Sequence, residues 1–193
     1  MRLFLALKPD RPAEARLAQR VLQVQEAIGD VAGALRWTPA TNIHATLHFL
    51  GEVPPVRAAA LRAALAAPIA LPPFEIEVDA VGAFPASGAP RVIWLDFTKG
   101  ADGVLAVHEE LAARLIDAGV TPEARSLSPH LTVARVPDRE RARVKPLRER
   151  LQQIGPMPIT WTVAEVALFR SDLSGAVPRY DVLQETPLTP HGS

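Results

Sequence analysis

Asn42-Ile43-His44-Ala45-Thr46-Leu47-His48-Phe49-Leu50-Gly51 is the stretch on which the reading of this chain turns. Its apolar residues mark a strand that Gly51 ends, and the chain carries a second, shorter copy of its polar pattern. His130-Leu131-Thr132-Val133 repeats His-x-Thr-apolar, again inside an apolar strand and again after a loop. Side chains alternate along a strand, so His44 and Thr46 share one face while Ala45, Leu47 and Phe49 take the other. The same parity sets His130 and Thr132 against Leu131 and Val133. Each strand thus offers an imidazole and a hydroxyl side by side. Brought together, the two strands would converge two histidines and two threonines on one cleft.

Around these strands the sequence alternates helical and extended signals. Residues 2–8 read as a buried strand. Asp10 can cap a helix with Pro12 in its first turn and a Leu17, Val21, Val24, Ile28 stripe, ended by Gly29. A short extended piece surrounds Trp37. A helix is expected over 56–66. A strand follows at 74–79, where Phe-Glu-Ile-Glu-Val-Asp alternates, and another at 91–97. Asp102 can cap a helix along Val104, Val107, Leu111 and Leu115. Residues 131–136 read as a strand. The charged run 138–154 reads as a helix split or kinked at Pro146. Closing strands are expected at 159–169 and 179–183, with a frayed tail over 187–193. Strand pairs joined by short loops argue for α+β, or mixed α/β, over a doubly wound parallel sheet. No linker divides the chain, so 1–186 reads as a single domain.

Composition narrows the function. Hydrophobic residues make up 48% and charged residues 22% of 193, which excludes a wholly disordered chain. Lys plus Arg and Asp plus Glu are each 21, so coating of long nucleic acid by counterion release is excluded, though not a local basic pocket. The absence of cysteine removes thiol nucleophiles, zinc ribbons and iron–sulfur clusters. Neither GxGxxG nor GxxxxGK[ST] occurs. No carboxylates and histidines sit at metal-ligand spacing, so neither a catalytic metal nor a cofactor is expected. The opening apolar run is too short for a signal h-region, and no run is long enough for a membrane span, which gives a cytoplasmic expectation. What remains suits phosphoester chemistry: one imidazole accepts a proton from water, the other donates one to a leaving oxygen, and the threonine hydroxyls bond the phosphate oxygens.

Several stretches together resemble the RNA 2′,3′-cyclic phosphodiesterases, also known as the 2′-5′ RNA ligase family, within the 2H phosphoesterases. They are residues 2–7, Arg36-Trp37-Thr38-Pro39, 42–51, Gly82-Ala83-Phe84-Pro85, Pro90-Arg91-Val92-Ile93-Trp94, Pro129 to Arg135, Leu168 to Ser171 and Arg179-Tyr180. The resemblance implies a bilobal α+β fold of two pseudo-symmetric sheet-plus-helix lobes around a central cleft. It implies hydrolysis of a 2′,3′-cyclic phosphate, on an RNA end or a nucleotide, to a 2′-phosphomonoester. Weak 2′-5′ ligation is implied as a side reaction. It makes His44 the proton donor and His130 the proton acceptor, an order that the two near-equivalent motifs do not themselves give. It also makes Arg135 a phosphate contact, which parity opposes unless the strand ends or bulges near Ala134. The alternatives are a non-catalytic nucleotide-binding module and a 2′-5′ oligonucleotide phosphodiesterase on the same fold. A monomer with no protein partner is the default.

The other candidates are weaker. His48 shares the parity of His44 and would line the cleft or face solvent. His108 reads as structural and His191 as inert. Trp37 and Phe49 have faces on which a base can stack, although parity turns Phe49 toward the core. Arg91 reads as a phosphate contact or a surface residue.

Overall fold

A computed structural model describes residues 1–121, 127–144, 146–175 and 177–190. The elements run β1 (Arg2–Leu7), α1 (Arg11–Ile28), β2 (Arg36–Trp37), β3 (Ala45–Glu52), α2 (Pro55–Ala64), β4 (Phe74–Phe84) and β5 (Val92–Lys99). They continue with α3 (Ala101–Asp117), β6 (His130–Arg135), α4 (Leu147–Leu151), β7 (Ile159–Val163), β8 (Glu165–Asp172) and β9 (Arg179–Pro187). The strands form two antiparallel sheets, ordered β3-β1-β8-β9 and β2-β6-β5-β4-β7. This is the α+β, two-lobed architecture expected.

The same unit occurs twice. A buried strand leads into a long helix, and a histidine–threonine strand returns antiparallel beside the first: β1, α1, β3 and then β5, α3, β6. The halves are interleaved as well as repeated. β2 and β4 join the second sheet, and β8 and β9 join the first. Helix α1 packs on β7 and α4, while α3 packs on β3 and α2. One hydrophobic core therefore runs from Leu3 and Leu17 through Ile93 and Leu111 to Val166. Such exchange couples the two motif strands, because neither sheet can shift without disturbing helices of the other half.

Local signals account for most of the elements. The Asp10 carboxylate accepts from the Ala13 N–H at 2.8 Å, which caps α1. Gly29, at φ 60°, ends it. The predicted stripe of Leu17, Val21, Val24 and Ile28 is the buried face. Arg20 is buried with them and donates to the Gly155 and Asp79 carbonyls at 2.7 and 2.8 Å and to the Asp79 carboxylate at 3.2 Å. It thereby ties α1 to the second sheet.

Five expectations change. The single strand at 159–169 is two strands in different sheets, β7 and β8, with the crossing at Ala164. The alternation Ile159, Trp161, Val163 belongs to a strand with one buried face, and the unbroken apolar run 166–169 to a strand buried on both. β4 runs on to Phe84, because an irregularity between Val78 and Val81 ends the alternation without ending the ladder. Gly100, not Asp102, caps α3, with φ 79° and its Cα side against the backbone of Glu75 and Ile76. The run 138–154 is a 3-10 turn at Asp138–Glu140 followed by the short α4, which starts directly after Pro146. The tail does not fray from Pro187: Leu188 is buried, its N–H donates to the Ala164 carbonyl at 2.8 Å, and the Thr189 N–H donates to the Ile69 carbonyl at 2.9 Å. His191 lies outside the described residues.

Candidate active site

Between the sheets lies a cleft of about 460 Å³, lined by His44, Thr46, His130, Thr132 and Arg135. The two motifs do converge. Each histidine sits at the start of its strand with its Nδ1 bonded to the backbone carbonyl two residues earlier, His44 to Asn42 and His130 to Ser128, both at 2.7 Å. A carbonyl only accepts, so Nδ1 carries the proton in both rings. Nε2 is then the nitrogen that exchanges a proton with a ligand. The two sites are alike in this respect down to the distance.

Both motif strands also carry the same irregularity. In β3, Thr46 faces Ala6 and His48 faces Leu5, so Leu47 is an extra residue with no partner in β1. In β6, Thr132 faces Trp94 and Ala134 faces Ile93, so Val133 is the extra residue. A bulge of one residue reverses the parity of everything beyond it. Arg135 thus lies on the face of His130 and Thr132, as the bulge condition required, and it lines the cleft. Phe49, in the equivalent place of the first motif, lines the cleft instead of facing the core, and the Arg2 guanidinium lies 4.7 Å over its ring. The same reversal removes His48 from the cleft and buries it to 2% exposure.

The surroundings of the two histidines differ. His44 sits in an aromatic cage, with ring centroids at 4.8 Å from Phe4, 5.3 Å edge-on from Tyr180 and 6.1 Å from Phe169. Burial pushes its pKa below the usual imidazole value. The Asn42 carbonyl opposes that shift, and the positive charges of Arg135 and of His130, when protonated, add to it. His130 meets Phe84 edge-on at 5.4 Å, and Phe84 is stacked on Trp94 at 4.9 Å. Gly82 is required beneath Trp94, because a Cβ there would collide with the indole. Burial raises the Tyr180 pKa, which keeps the hydroxyl neutral beside His44.

The remaining candidates fall elsewhere. His108 stacks on His48 away from the cleft. Trp37 donates its Nε1–H to the Ala32 carbonyl at 3.0 Å and does not line the cleft. Arg91 borders a separate groove with Phe84, Pro85 and Arg141. Arg2, Phe4, Asn42 and Tyr180 line the cleft although the sequence does not single them out as site residues. Phe4 has no polar signal to mark it, since β1 is apolar on both faces from Leu3 to Leu7. Among the described residues, no three His, Asp or Glu side chains gather as a metal-binding group. No helix among them is long and apolar enough to cross a membrane.

This arrangement matches a known family. The 2′-5′ RNA ligase superfamily model matches residues 9–175. An RNA 2′,3′-cyclic phosphodiesterase of Aeropyrum pernix is 31% identical over 175 residues, spanning 90% of this chain and 97% of that one. A protein of the same name from Escherichia coli is 30% identical over 190 residues, 97% of each chain. Among solved structures, E. coli LigT complexed with 3′-AMP superposes with a TM-score of 0.74 at 27% identity, covering 97% of this chain and 98% of LigT. A Thermus thermophilus protein superposes over the full length of both chains with a TM-score of 0.77 at 26% identity. On the match of its sequence and of its fold, this chain belongs to the 2′-5′ RNA ligase superfamily.

Proposed function

We propose that the protein hydrolyses a 2′,3′-cyclic phosphate, carried by an RNA end or a nucleotide, to a 2′-phosphomonoester without a metal ion. The observation that carries this reading is the pair of Nδ1-anchored imidazoles, each with a threonine two residues on along the same face. Water attacks phosphorus as His130 Nε2 takes its proton. The P–O3′ bond breaks as His44 Nε2–H protonates the departing O3′. The product is a 2′-phosphate with a free 3′-hydroxyl, and the two imidazoles exchange protons with solvent before the next turnover. Thr46, Thr132 and Arg135 hold the non-bridging oxygens, where charge accumulates. A ribose 5′-hydroxyl attacking in place of water would give a 2′-5′ linkage, the weak ligation expected of the family.

Assigning the donor role to His44 accords with its surroundings. An imidazolium whose pKa is depressed by burial and by nearby cations is a stronger acid. An anionic phosphate in the cleft favours its charged form until the proton is needed. That relatives of this chain are RNA 2′,3′-cyclic phosphodiesterases by name supports the substrate class. We assign the protein to the cytoplasm and to a monomeric state. Turnover of nucleoside 2′,3′-cyclic phosphates compared with 2′-5′ dinucleotides tests the reading. Preference for the cyclic ester supports it. Preference for the dinucleotide, or binding of both without turnover, would overturn it.

A further inference from the structure

The two bulges need the same thing and obtain it differently. A bulged residue leaves the ladder, so its carbonyl must find another donor. In β6 that donor is backbone: the Thr38 N–H, continuing from the neighbouring β2, bonds the Val133 carbonyl at 2.9 Å. β3 is the edge strand of its sheet and has no such neighbour. Its bulged carbonyl, on Leu47, is instead bonded by His108 Nδ1 at 3.0 Å, from α3 of the other half. The link is reciprocal. His48, the residue after the bulge, bonds the His108 carbonyl through Nε2 at 2.8 Å. The two rings stack with centroids 4.0 Å apart and planes 10° apart. Both bonds end on carbonyls, which fixes a proton on His108 Nδ1 and on His48 Nε2.

We propose that His108, with His48, is a positioning residue for the cleft: it holds the Leu47 bulge and so keeps Thr46 and Phe49 turned toward substrate. The proposal rests on the catalytic reading above for its effect on rate, but not for its effect on the backbone. Without a donor for the Leu47 carbonyl, β3 is driven to recover regular pairing with β1. Closing the bulge at Leu47 then pulls the adjoining Thr46 out of place and carries Phe49 off the cleft face.

The test uses His108→Leu, His108→Asn and His108→Gln in the full chain, assayed on a nucleoside 2′,3′-cyclic phosphate. Asparagine places an amide N–H near the position of Nδ1, whereas glutamine places it near Nε2. His108→Leu should lower kcat/KM by about a hundredfold, the cost of a misplacement near 1 Å. His108→Asn should stay within a few-fold of wild type, and His108→Gln should remain low. In the His108→Leu background, Thr46→Val should add little further loss, because that hydroxyl is already displaced. Thr132→Val, on the other motif, should cost its full factor. Equal losses from the two threonine substitutions would signal general loosening and overturn the proposal. So would a well-folded His108→Leu protein at wild-type rate. If His108→Leu does not fold, the asparagine and glutamine variants decide, and equal rates in those two overturn it. If the wild-type protein turns over no cyclic phosphate, the catalytic reading fails, and a crystal structure of His108→Gln decides this one. A straightened β3 with Phe49 off the cleft face supports it. An intact Leu47 bulge overturns it.

Discussion

Replacing Arg135 by methionine tests both the bulge in β6 and the electrostatic coupling of Arg135 to His44. Methionine fills similar volume without charge or donors. A charge-assisted hydrogen bond contributes about 1.5–3 kcal/mol net of solvation, or about ten- to a hundredfold in kcat/KM. Arg135 is exposed, so water competes for both partners and the lower end applies, about tenfold. Arg91→Met is the control, because Arg91 borders another groove and its loss should leave the rate unchanged. The pH profile carries the second readout. Arg135 is one of the cations that lower the His44 pKa, so its removal raises that value. The lower pKa of the pair sets the acidic limb and the higher one the alkaline limb, whichever group is acid or base, so the limb of kcat/KM that His44 sets should move to higher pH. The assay is kcat/KM on a nucleoside 2′,3′-cyclic phosphate across the range from about pH 5 to about pH 9, where histidine titrates, for wild type and both variants. An Arg135→Met enzyme no slower than Arg91→Met would refute the placement of Arg135 on the phosphate. A pH profile identical to that of wild type would refute the influence of the Arg135 charge on His44.

Other outcomes follow from the same geometry. His44→Ala and His130→Ala should each lower kcat by about a hundred- to ten-thousandfold with the fold retained, and the double variant should lose far less than the product of the two; steady-state rates on the three proteins check this. Tyr180→Ala opens the cage and lets water reach His44, so its pKa rises and the limb it sets moves to higher pH, as read from a pH–rate profile. Because burial lowers the pKa of both His44 and His48, the unfolded chain binds more protons between their folded values and about 6.5, so stability is full above that pH and falls as pH drops through the window. Urea unfolding of wild type and His48→Leu should show a shallower acid dependence in the variant. Arg20→Met leaves the Asp79 and Gly155 carbonyls without their buried donor and should cost about 3–5 kcal/mol by urea denaturation, with kcat unchanged because Arg20 lies outside the cleft.

The motif strands are legible in the sequence because each holds strict alternation up to its threonine. His44, Thr46, His130 and Thr132 are placed in the cleft by that alternation alone. Beyond the threonines, alternation misleads. Leu47 and Val133 look like ordinary core residues, and nothing local announces that each is an extra one. The resemblance of Arg135 to a phosphate contact points to a bulge in β6, and the strand has one at Val133. No comparable pressure acts on β3, so alternation alone turns Phe49 inward and leaves His48 on the open face, the reverse of their positions. The split between β7 and β8 is written in the change from alternating to continuous apolar residues at Ala164, but a strand crossing between sheets has no punctuation of glycine or proline to mark it. The cage around His44 depends on side chains from β1, β8 and β9 meeting in space, which no spacing within one segment encodes.

The central claim is metal-free opening of a 2′,3′-cyclic phosphate by two histidines, and product analysis tests it most directly. Adenosine 2′,3′-cyclic phosphate is incubated with the wild-type protein in excess EDTA and the products are followed by phosphorus NMR. Adenosine 2′-phosphate as the sole phosphorus product, formed at the rate seen without chelator, is the predicted result. A 3′-phosphate, no product at all, or a rate abolished by EDTA and restored by one divalent ion would contradict the account.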